Sequence, residues 1–176
     1  GSFLFFGFLV VALVYTRLQN GDAAQSFEIP VAFYFSSILA LVASGLWASV
    51  LKFYKEDKLT ALFRHLSLIL AASIGFLAMQ VLGWIDLARS GVLLTGVHGE
   101  AYIWMLSALH ALHILAVIGC LAGFYVYHLP VLYDPVKALV FLTTPYRKIT
   151  LKILATAFHF VDLLWLGLFV SFLLLF

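Results

Sequence analysis

Residues 158–176, FHFVDLLWLGLFVSFLLLF, close the chain. The second half is fit only for hydrocarbon or a protein core, yet the first half carries His159 and Asp162 one helical turn apart. An ionisable pair in an apolar helix is costly unless partnered, so this stretch reads as a membrane helix with a reason for its polar face. The rest of the chain agrees. Of 176 residues, 65% are hydrophobic and 10% charged, and the mean hydropathy is +1.12. Soluble domains run near half apolar and a quarter charged.

Five apolar stretches approach or exceed the ~20 residues that cross a hydrocarbon core. They run roughly over 1–17, 30–51, 60–85, 101–127 and 149–176. Lipid offers bare backbone no partner and no alternating barrel strands are present, so the expected fold is an all-α polytopic membrane bundle of five helices in one domain. Pro30 is expected in the first turn of the second span. Thr144-Pro145 is expected to cap and start the fifth, and Asp134-Pro135 to start a short interfacial helix over VKALVFL. The chain opens without Met or a basic n-region, unlike a signal peptide. The expectation is that residues precede Gly1 or that Gly1-Ser2 is a cloning remnant, leaving the first helix short.

Eight of the ten Lys and Arg residues flank the second and fourth loops: Lys52, Lys55, Lys58, Arg64, Lys137, Arg147, Lys148 and Lys152. Only Arg17 and Arg89 flank the others. The bias predicts a cytoplasmic amino terminus and a carboxyl terminus outside. Trp84, Tyr102 and Trp104 would form an outer aromatic belt, and Tyr54, Tyr125, Tyr127 and Tyr146 an inner one. Cys120 stands alone, which excludes a disulfide framework or a thiolate metal site. No phosphate loop, nucleophile constellation or nucleic-acid patch is present.

The fourth span carries His110 and His113, the fifth His159 and Asp162, each pair at i, i+3 on one helix face. Antiparallel spans at ~1.5 Å per residue bring His110 to the depth of Asp162 and His113 to that of His159. The expected arrangement is two polar ties between these helices, with Gln80 tying the third span to a neighbour. Other readings stay open. A haem b could take one histidine from each of two helices, with Ala108 and Ala111 leaving room but Asp162 an awkward neighbour. A proton relay through His159 and Asp162, or a zinc site from the four side chains, uses the same residues.

HALHILAVIG, residues 110–119, resembles the His-Gly-Leu-His-Val…Gly segment of subunit III of haem-copper oxidases, with Ala111 in place of the glycine. FHFVDLLWLGLFVS, residues 158–171, resembles that family's His-Phe-Val-Asp-x-x-Trp-Leu segment, matching all six fixed positions at the start of the last span. SSILALVASG and GFLAMQVLGW are similar to weaker patterns of its earlier helices, so the resemblance touches four of five spans in order. It implies the short five-helix bacterial form, or a seven-span form without its first two helices.

The implied function is that of a non-catalytic subunit of a proton-translocating terminal oxidase in a bacterial inner membrane. It would pack on subunit I, which holds the haems and copper, alongside other oxidase subunits or a larger respiratory supercomplex. It would bind no cofactor itself, support proton uptake and hold phospholipid. Two departures stand out. The acid that family members often carry in the first of these helices, after a serine, is absent, since Phe3 follows Ser2. Gly83 stands where a glutamate often follows the glutamine. The competing expectation is a haem b-binding anchor of a respiratory dehydrogenase.

Without the family's first two helices, spans one and two are expected to expose a groove. Phe5, Phe6, Phe8, Phe33 and Phe35 would line it beside Ser36, Ser37 and Ser44, with Lys52 and Lys55 near an anionic head group. Either phospholipid or a neighbouring subunit's helices would fill it.

Overall fold

The computed structural model describes residues 1–20, 28–92 and 100–176. They are helical almost throughout: α1 Ser2–Asn20, α2 Val31–Lys55, α3 Leu59–Arg89, α4 Glu100–His128, α5 Pro135–Thr143 and α6 Pro145–Leu175, with a single 3-10 turn, Leu129–Leu132, extending α4. The protein is an all-α, multi-pass membrane protein. Four helices are long and apolar enough to cross a bilayer: α2, α3, α4 with its extension, and α6. The apolar part of α1, Leu4–Gln19, is shorter. It spans roughly 24 Å at 1.5 Å per residue.

α2 and α3 form a long hairpin, joined by the tight turn at Glu56–Asp57–Lys58. Asp57 takes the left-handed conformation there, with φ 56°, and Lys58 pairs with Glu56 at 2.8 Å. α4 packs on α3, and α6 packs on both α4 and α2, which closes a four-helix ring. α1 lies outside the ring against α4 and α6. This corrects the expectation of a groove shared by the first two spans. The cleft beside α1, about 280 Å³, opens against α6 and is lined by Phe6, Val10, Phe160, Leu164 and Gly167 among others.

The helix starts follow local chemistry. Asp134 caps α5, its carboxylate accepting from the backbone N–H of Val136 at 3.0 Å and of Lys137 at 3.3 Å. Thr144 does not cap α6 through its side chain; its hydroxyl turns back to the Val140 carbonyl of α5. Pro145 then starts α6, where a missing N–H costs nothing. Pro30 sits just ahead of α2, and its carbonyl accepts from Phe33 N.

The interior has two apolar layers. One, around Trp47, Phe63, Phe141 and Phe158, fills the end of the bundle that bears Lys52, Lys55, Lys58, Lys137 and Arg147, the basic end. The other, around Phe33, Phe76, Leu106 and Trp165, fills the half towards the opposite end and takes in Phe6, Leu9 and Leu13 of α1. In lipid such packing is held by dispersion and polar ties rather than by the hydrophobic effect.

Candidate functional site

Three polar ties inside the ring share one device. A serine accepts a hydrogen bond from a donor on the next helix and passes its own proton to a carbonyl one turn back in its own helix. Gln80 Nε2 of α3 donates to Ser36 Oγ of α2 at 2.9 Å, and Ser36 donates to the Phe33 carbonyl. Trp165 Nε1 of α6 donates to Ser37 Oγ at 3.0 Å, and Ser37 donates to the same carbonyl. Trp84 Nε1 of α3 donates to Ser107 Oγ of α4 at 2.9 Å, and Ser107 donates to the Ile103 carbonyl. Each tie satisfies an intramembrane donor without an ionised group.

Trp165 is the centre of this layer. It is fully buried, with ring contacts to Phe33, Phe76, His110 and Phe169. Phe33, also fully buried, lies over Gly83, where a Cβ would run into its ring. A side chain at 83 is excluded while Phe33 keeps this place.

The expected ties between α4 and α6 are not those observed. His110 and Asp162 both face the interior, but no bond joins them: neither ring nitrogen of His110 has a hydrogen-bond partner among the described residues. Trp165, one turn beyond Asp162, takes the place beside the imidazole, with ring centres 5.3 Å apart, and Phe76 closes another side at 5.8 Å. His113 turns to α1. Its ring meets Phe6 at 5.5 Å, and its Nδ1 donates to the Leu109 carbonyl of its own helix at 2.8 Å. His159 turns to α2, where its Nδ1 bonds Ser44 Oγ at 2.6 Å, and the imidazole is exposed on the outer surface of the bundle.

The histidines therefore reach three different neighbours and do not converge on one space. The His110 ring is enclosed by Trp165 and Phe76. Among the described residues no three His, Cys, Asp or Glu side chains come together with metal-ligand geometry.

The residues expected to meet lipid divide. Phe5, Phe8 and Phe35 are exposed, as are Lys52 and Lys55, whereas Phe6 and Phe33 are core residues. At the opposite end Trp84 stacks on Trp104, which donates to the Val92 carbonyl. At the basic end Tyr127 and Tyr146 are exposed, while Tyr54 is buried and donates to the Phe141 and Leu142 carbonyls of α5.

His128 carries no sequence signature. It ends α4, and its partner Arg147 lies across α5, with Nη1 donating to His128 Nε2 at 3.0 Å. Compared with protein-family models and with curated proteins, the chain matches none.

Proposed function

We propose that the chain is a non-catalytic subunit of a larger respiratory membrane complex, of the subunit III type in a proton-translocating haem-copper terminal oxidase. In this reading it crosses a bacterial inner membrane five times, amino terminus cytoplasmic and basic end inwards, and packs on the subunit that holds the haems and copper.

The observation that carries the reading is the Ser44–His159 pair. Both residues lie near mid-length of their helices, Val31–Lys55 and Pro145–Leu175, and the imidazole is exposed there. A lone chain in lipid would hold that imidazole at the depth of the acyl tails, which is expensive. A neighbouring protein helix removes the cost. Gly45 and Ala48, exposed on the same stretch of α2, let another backbone approach closely.

The oxidase identity rests on the resemblance of 110–119 and 158–171. The enclosure of His110 by aromatic rings supports this reading over a haem-carrying anchor. The fifth crossing is supported by the Arg17 guanidinium, 3.7 Å from the centre of the Phe176 ring, which brings the carboxyl ends of α1 and α6 together.

The test is affinity purification of the tagged chain from native membranes, with visible spectra of the complex and of the separated chain. The expected result is haem absorption in the complex and none in the chain alone. A bis-imidazole haem b retained by the separated chain overturns the proposal.

A further inference from the structure

At the basic end, a cleft of about 370 Å³ opens between the end of α4, the 3-10 turn, α5 and the start of α6. Its polar lining includes Arg147, Lys137, His128 and Tyr127; its apolar lining includes Val136, Val140 and Phe141. A guanidinium has donors only, so His128 Nε2 accepts from Arg147 and the imidazole is held neutral by geometry, with its proton on Nδ1. Arg147 thus spends one N–H on a neutral group. Among the described residues no carboxylate comes within ion-pair distance of it, whereas Lys137 stands 3.5 Å from Asp134. The Tyr127 ring lies beneath the guanidinium, 6.0 Å from its carbon. A half-buried, oriented arginine with most of its fork uncommitted suits an anion of planar or tetrahedral oxygens, and phosphate above all.

The walls narrow the choice. Val136 and Val140 are 71% and 55% exposed on the outer side of α5, so an apolar track leads out of the charged cleft along the membrane boundary. A ligand with a phosphate head and a hydrocarbon body matches both parts.

We propose that this cleft is a phosphate-binding site, with Arg147 as its principal partner and Lys137 as the second. The assignment does not depend on which complex the chain joins. The same head-group chemistry occurs in an anionic phospholipid and in free phosphate, and the experiment separates them.

The full chain is placed in phosphatidylcholine nanodiscs, alone or doped with phosphatidylglycerol, and the retained lipid is counted by native mass spectrometry. Retention of phosphatidylglycerol is expected, falling roughly fivefold in Arg147→Gln, the worth of one basic contact. Arg89→Gln, at the opposite end, should leave it unchanged. In undoped discs, inorganic phosphate is titrated against the unfolding midpoint. A rise in the wild type that Arg147→Gln lacks supports the site with a soluble source; phosphatidylglycerol retention without such a rise supports the lipid. Equal behaviour of wild type and Arg147→Gln toward both probes overturns the proposal. If Arg147→Gln does not fold, the wild type alone decides: no preference for doped over undoped discs and no response to phosphate overturns it equally.

Discussion

Trp165 of α6 donates its indole proton to Ser37 of α2 across 3.0 Å, in the fully packed middle of the bundle. The bond and the ring do different work. The ring fills space among Phe33, Phe76 and His110, and the bond fixes its orientation. Ser37→Ala should therefore cost about 1 kcal/mol, the scale of interhelical bonds in membranes. Trp165→Ala, which opens a cavity, should cost roughly 3–5 kcal/mol. Thermal unfolding in a fixed detergent reads both. Equal losses would show that the bond, not the ring, holds α6 to α2.

Gly83 and Phe33 make a second close approach. A methyl group at 83 would meet the Phe33 ring, so Gly83→Ala should destabilise by about 1–3 kcal/mol through overpacking. Phe33→Leu on that background should recover part of the loss, because the smaller side chain leaves the space. Strict additivity of the two changes would refute the contact as the cause.

The four long spans and α5 were legible because hydropathy, prolines and an Asp-Pro start speak for themselves. The direction of each polar residue was not. Residues at i and i+3 differ by about 60° around a helix, enough to send His110 inward while His113 meets α1 and His159 meets α2. Phenylalanine gives no better guide, since a lipid tail and a packed helix are equally apolar. Phe6 and Phe33 are buried where Phe5 and Phe35 are not, and the composition of the segments could not separate them. The place of α1 follows from this same ambiguity, for it was set by which Phe and Leu residues found partners on α4 and α6.

Asp134 gives the fold an acid-sensitive edge. The backbone N–H of Lys137, then that of Val136 and the Lys137 charge, hold its carboxyl below the ordinary 3.8. A depressed folded value means the cap contributes fully above the unfolded value and is lost as pH falls through the folded one. The first turn of α5 should therefore open in acid, below about pH 4. Hydrogen exchange at Val136 and Lys137, corrected for intrinsic rates, should rise there in the wild type. Asp134→Asn keeps an acceptor but cannot be protonated in this range, so its exchange should be flat. A pH response surviving in Asp134→Asn would assign the effect to another group.

The Ser44–His159 pair separates a role inside the chain from a role between chains. The bond joins α2 to α6 on an exposed face, so its loss in His159→Leu should change the stability of the isolated chain by under about 1 kcal/mol. Leucine is also better suited to lipid, which offsets part of that cost. If a partner helix covers this face, His159→Leu should instead reduce co-purification of the complex from native membranes. Gly45→Leu makes the same point without touching the bond. A Cβ at 45 meets nothing within 4 Å in this chain, so the larger side chain should be harmless to the isolated fold and should hold a neighbour away. Loss of association in both variants, with unfolding midpoints unchanged, would assign the α2–α6 face to the partner. Normal co-purification of both would move the docking surface elsewhere, and His159 would then have to face lipid.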